Sequence, residues 1–89
     1  MEQNKVYTIK LISGEEIIAR ILPQESGVTE LIKPRSIAMT GNGGFGMMPW
    51  LVSAPDSNVL ISDTTIVGAV ETGQMVATQY IKQVTGIQV

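Results

Sequence analysis

Residues 6–22 read VYTIKLISGEEIIARIL, two apolar runs interrupted by Ser13-Gly14. Tyr7, Ile9 and Leu11 alternate with Thr8 and Lys10, the period of a strand with one buried face. Gly14 offers the positive φ that a tight reversal needs. In the returning strand Ile17, Ala19 and Ile21 share one face, and Ile18 and Leu22 share the other with Arg20. That second face is therefore not purely a solvent face. A hairpin of this kind points to a small, strongly bent β structure.

The rest of the chain repeats the pattern. PQESG, residues 23–27, is a loop, and an extended segment comes next over residues 28–39. Pro34 has no N–H for a ladder bond, so it marks an edge or a bulge. Gly41-Asn42-Gly43-Gly44 is the clearest turn, and a fourth, very apolar strand is expected over residues 45–54 with Pro49 inside it. Short β-branched strands are expected at residues 59–61 and 66–71, separated by Ser62-Asp63-Thr64-Thr65. The period then changes. Val76, Tyr80 and Val84, with Ala77 and Ile81 beside them, form one helical stripe, with Thr72 a candidate N-cap and Gly86 a candidate stop. The fold class expected is mostly β: a small, strongly bent barrel of about five strands over about residues 6–71 and a C-terminal helix over about 73–85, in a single domain 1–89. The helix has two readings, covering an open end of its own barrel or docking a partner.

Composition narrows the chemistry. A chain of 89 residues buries too little surface to be more than marginal alone, and disulfides, a metal or oligomerisation are the usual remedies. This one has no Cys and no His, which removes disulfides, thiolate ligands, the commonest metal ligand and the commonest general base. Oligomerisation is left, in keeping with 44% hydrophobic residues and a mean hydropathy of +0.22. No metal and no cofactor are expected. Without His there is no conventional nucleophile triad, so an enzyme is not expected. Glu15 and Glu16 are adjacent on a strand and point to opposite faces. Asp56 and Asp63 sit in loops that could approach each other, although solvated turn residues account for both. No apolar run reaches the ~20 residues of a membrane span, and MEQNKVY lacks the basic-then-apolar pattern of a secretory signal. The cytoplasm is the expected location. The net charge of −2 argues against nucleic-acid binding by bulk charge, not against a local basic patch.

Lys33-Pro34-Arg35 is the one basic cluster. It reads either as solvated charges flanking a bulge or, repeated around a ring, as a basic belt for phosphates. Gly41 to Gly46 lacks the Lys-Ser/Thr of a phosphate loop and leads into an extended segment, so it reads as a hairpin turn. Phe45, beside those glycines, could stack a base. In Met47-Met48-Pro49-Trp50, alternation sends Met47 and Pro49 to one face and Met48 and Trp50 to the other.

Residues 9–17, Ile-Lys-Leu-Ile-Ser-Gly-Glu-Glu-Ile, resemble the first signature of the Sm and Sm-like (LSm) family, roughly hydrophobic-x-Leu-x-x-Gly-x-x-hydrophobic. Residues 59–67, Val-Leu-Ile-Ser-Asp-Thr-Thr-Ile-Val, are similar to the apolar frame of its second signature. The resemblance spans about residues 6–70. In overall look, with its C-terminal helix, the chain is most similar to Sm-like proteins of cyanobacterial phages. The chain also departs from the family. The family's usual helix before the first strand is not expected in the five residues ahead of Val6, Ser62-Asp63 replaces the Arg-Gly of the second signature, and the position of the first signature's Asn falls near Thr29. An acidic residue in place of Arg repels phosphate.

The resemblance implies a five-stranded, SH3-like open barrel and a homo-oligomeric ring of roughly five to seven subunits that binds single-stranded RNA or acts as an RNA chaperone. By fold position the candidate RNA contacts are Thr29, Lys33, Arg35, Ser62, Asp63 and Thr64. The candidate oligomer contacts are Phe45, Met47, Met48, Trp50, Ile66 and Val67, since the family pairs this fourth strand with a neighbour's fifth. The alternative is a non-enzymatic protein-binding assembly or adaptor ring of phage origin, without RNA activity. It is motivated by the acidic balance, the apolar 47–52 surface and the helix.

Overall fold

Six antiparallel strands and one helix make up the computed structural model, which describes residues 1–86. The last three residues of the expected 1–89 domain lie outside the described residues. The strands are β1 (Val6–Leu11), β2 (Glu16–Pro23), β3 (Val28–Met39), β4 (Phe45–Pro49), β5 (Val59–Ser62) and β6 (Ile66–Glu71), and the helix is α1 (Gln74–Thr85). They form one sheet in the order β4-β3-β2-β1-β6, with β5 also paired to β3. β3 is long enough, at 12 residues, to carry both partners along one edge. Its residues 28–31 pair with β5 and its residues 35–39 with β4.

β5 and β6 lie at opposite ends of this order, yet only Asp63–Thr65, a single 3₁₀ turn, separates them in sequence. Three residues of that geometry advance only about 6 Å. The sheet therefore curls until its two ends nearly meet. Its inner face carries the main core of Tyr7, Ile9, Leu11, Ile17, Ala19, Ile21 and Leu31, with Trp50, Ile61 and Ile66 packed against it. The alternation expected for residues 6–22 is the alternation found.

The first turn closes as expected. Gly14 has φ +92°, its N–H donates to the Leu11 carbonyl (2.8 Å), and the Leu11 N–H donates to the Glu15 carbonyl (2.9 Å). Pro34 marks a bulge. Arg20 pairs with Ile32 and Ile18 with Arg35, so Ala19 faces two residues, Lys33 and Pro34. Lys33 takes a positive φ of 44° there, the left-handed geometry that lets the extra residue fit. The pairing register shifts by one residue across the bulge, and β3 stays paired with β2 on both sides of it.

Two expectations change. The apolar run 45–54 is not one strand: β4 ends at Pro49, and residues 51–57 fold into turns closed by Ala54 N–H to the Leu51 carbonyl and Ser57 N–H to the Ala54 carbonyl, both 3.2 Å. The six extended segments read from the sequence are six strands, one more than the five of the expected barrel. α1, in turn, covers a sheet face rather than an open end. Ile18, on the side of β2 away from the main core, meets Tyr80 and Val84, with Val6, Ile37, Met47, Val76 and Ile81 around them. The mixed second face of β2 is explained by this layer.

Thr72 does not cap the helix. Its Oγ shares a hydrogen bond with Thr8 Oγ (3.0 Å) and its N–H donates to the Val6 carbonyl (2.9 Å), which extends the β6–β1 pairing. Gly73 is the N-cap, and Gly86 ends the helix in the left-handed conformation. No helix among the described residues is long and apolar enough to cross a membrane.

Candidate nucleic-acid interface

The six candidate RNA contacts separate into two groups. Thr29 on β3 meets the 3₁₀ turn after β5, where its hydroxyl donates to Asp63 Oδ1 at 2.6 Å. Ser62 and Thr64 share a hydroxyl–hydroxyl bond of 2.8 Å in the same turn, and the Ser62 hydroxyl also accepts from Thr64 N–H. Asp63 N–H is held by the Gly27 carbonyl at 2.8 Å. The 34-residue separation of Thr29 and Asp63 is thus bridged by the β3–β5 pairing. Together with Gln24, Val28 and Ile66 they line a shallow pocket of about 290 Å³. Its surroundings are acidic. Glu30, on the same stretch of β3, is held by Gln24 (3.1 Å) and Asn58 (3.0 Å). Among the pocket's lining residues Asp63, which already accepts from Thr29, is the one carboxylate, and no lining side chain is cationic.

Lys33 and Arg35 lie beyond the bulge and belong to another neighbourhood. Lys33 Nζ donates to the Val84 carbonyl at 3.3 Å, against the negative end of α1. Arg35 is only 3% exposed. Its guanidinium bonds to Gln83 Oε1 (2.5 Å) and the Pro55 carbonyl (2.7 Å), and pairs with Asp56 Oδ1 (3.3 Å). It ties helix, strand and the 50–58 loop together. The pair expected as a phosphate belt is engaged inside the fold. Asp56 and Asp63 do not approach each other, since one is held by Arg35 and the other by Thr29.

Among the candidate oligomer contacts, Met48 and Val67 stand out of the surface, each 66% exposed. Met47 packs under the helix, and Trp50 and Ile66 pack on the main core. The Trp50 indole N–H donates to Glu15 Oε2 at 3.1 Å. Phe45 is half-buried and lines a second cleft of about 600 Å³ with Met47, Gln79, Lys82 and Gln83. From sequence Phe45 is a contact candidate with no connection to Lys82. Nothing in local spacing links residues so far apart; the helical stripe is the only signal that Gln79, Lys82 and Gln83 lie beside the buried Tyr80 and Val84.

Charge is segregated between the two sites. Between Glu30 and Asp56 there is no acidic residue, and none comes after Glu71. The second half of β3, β4 and α1 therefore bring together Lys33, Arg35 and Lys82 against Asp56 alone. Comparison with protein-family models finds no match for the sequence, and comparison with curated proteins finds none either.

Proposed function

We propose that the chain is an Sm-like subunit, a small strongly bent barrel that assembles into a homo-oligomeric ring and holds single-stranded RNA weakly at sites repeated around it. The observation that carries this reading is the pair of unpaired apolar edges at the two ends of one sheet. β6 bonds only to β1, and beyond Ile66 all its residues are exposed, with Val67 at 66% and Val70 at 65%. β5 bonds only to β3 and exposes Leu60 at 63%. Neither strand carries the Lys or Pro with which edges are commonly protected from pairing. The two edges differ, so pairing β6 of one copy with β5 of the next is head-to-tail. Repeated about an angle that divides a full turn, with no rise along the axis, such a contact closes into a ring; at any other angle it runs on as a filament. A small domain with no disulfide gains buried surface in this way. Each subunit's hold on RNA need only be weak, because linked sites gain by effective concentration.

Light scattering on the purified protein tests the assembly. The wild type is expected as one closed oligomer at micromolar concentration, and Leu60→Lys with Val67→Lys as folded monomers. A wild-type monomer refutes the ring. Filter retention of oligo-U and oligo-A at low salt tests the cargo. Rings that retain neither would leave the protein-binding reading in its place.

A further inference from the structure

We propose that the cleft between the glycine-rich hairpin and α1 holds one nucleotide of the RNA, its base against Phe45 and its phosphate at Lys82. The inference rests on the RNA-binding reading above and places the contact away from the Thr29–Asp63 pocket. Three observations carry it. The cleft, of about 600 Å³, falls in the range that encloses small ligands. Its lining combines the only phenylalanine of the chain with one ammonium and two amides, the stacking platform and backbone cation that single strands use. And it lies on the side of the molecule where cations outnumber carboxylates.

The groups present are not all engaged. Gln83 forms a fixed floor, its amide donating to the Met47 carbonyl (3.2 Å) and accepting from Arg35. Lys33 already neutralises the carbonyl end of the helix. Among the described residues, the Lys82 ammonium and the Gln79 amide have no hydrogen-bond or ion-pair partner, and both side chains are exposed. Gly44 and Gly46 flank Phe45, so neither neighbour in sequence carries a side chain to lie over its ring. An incoming base then has an open aromatic face, an amide for its edge and a cation for its phosphate. Across the fold, the Thr29 pocket offers the Asp63 carboxylate to the same phosphate and repels it.

The test is fluorescence anisotropy with end-labelled oligo-A, oligo-U and oligo-C of about 20 nucleotides, long enough to span several subunits, titrated with assembled protein at low salt. Phe45→Ala and Lys82→Ala are each expected to weaken binding on the order of tenfold. Phe45→Trp and Lys82→Arg should restore it. Lys82→Ala should also flatten the salt dependence. Lys10→Ala, which removes the same charge from exposed β1, should change binding less than twofold. Lys82 is exposed on a helix, so its variant remains informative if Phe45→Ala assembles poorly. If wild-type rings bind and both alanine variants bind equally well, the cleft is not the site, while the RNA-binding reading stands. If wild-type rings bind none of the three, both fail together.

Discussion

Tyr80 holds the helix layer onto the sheet through one hydroxyl, and removing that hydroxyl should cost more than its size implies. The side chain is fully buried. Its O–H donates to the Ile32 carbonyl and accepts from Arg20 N–H at 3.1 Å. Arg20 and Ile32 face each other at the bulge, where the β2–β3 register shifts and the ladder is interrupted. Tyr80→Phe therefore leaves one backbone donor and one backbone acceptor unpaired under the helix. At about 1–3 kcal/mol for each buried unsatisfied group, the two together cost about 2–6 kcal/mol, a large part of the roughly 5–10 kcal/mol of a domain this size. With a urea dependence of about 1.5 kcal/mol per molar, the midpoint should fall by about 1.3–4 M.

Trp50 fluorescence is the natural probe, since the Trp50 backbone N–H is bonded to the Pro34 carbonyl at 3.0 Å on the same bulge. Protein concentration must be held fixed, because the proposed assembly would add to apparent stability. Hydrogen exchange gives a local readout: the Arg20 amide should lose protection in the variant. Burial raises the Tyr80 pKa, only partly offset by the Arg20 amide and the Arg20 and Arg35 charges. A raised phenol pKa means that the native state keeps its proton where the unfolded chain has lost it. The contribution is thus fully present below the ordinary tyrosine value of ~10 and is lost as pH rises from there through the native pKa. Tyr80→Phe should remove that alkaline loss. A midpoint change below about 0.3 M, with Arg20 still protected, would refute the assignment of this hydroxyl as the link between helix and bulge.

Other perturbations draw on the same geometry. Arg35→Ala removes the ties to Gln83, Pro55 and Asp56 and should cost about 2–4 kcal/mol in thermal unfolding. Limited proteolysis should then cut first within residues 50–58, and Arg35→Lys, lacking the planar fork, should recover only part of the loss. Gly14→Ala meets open space but a φ of +92°, so the expected cost is backbone strain alone, about 1 kcal/mol and a few degrees in melting temperature. Gly41→Ala, with open space and no positive φ, should be close to neutral by the same measurement.

Much of the fold was legible because strand alternation is local. Tyr7, Ile9, Leu11, Ile17, Ala19 and Ile21 fall on one face by period alone, and all six are buried in one core. The helix was equally legible from Val76, Tyr80 and Val84. Its start was not: Thr72 has the right chemistry for a cap, but strand pairing with β1 claimed it first. The run 45–54 misled because hydrophobicity does not distinguish a strand from a loop held down by a distant residue. Arg35, 20 positions before Pro55, is such a residue. The candidate site was less legible still. Thr29 and the 62–64 turn do meet, whereas Lys33 and Arg35 gather beside the end of α1 with their charges already engaged. In space they are spent on the helix end and the 50–58 loop.

The β hairpin, the bulge at Pro34, the helical stripe and the lack of thiol and imidazole chemistry were all set by local sequence. Each comes from side-chain period, from proline's missing N–H or from residues simply not present. Packing in three dimensions settled which charges remain available and which apolar residues remain uncovered. The curl of the sheet carried β5 and β6 to neighbouring positions with their outer edges open, and folding drew Arg35 inward while leaving Lys82 beside Phe45. A charge acts through its surroundings, and those surroundings come from segments tens of residues away. Composition describes a mildly acidic chain; only its folding separated an acidic pocket at Thr29 from a cationic cleft under the helix.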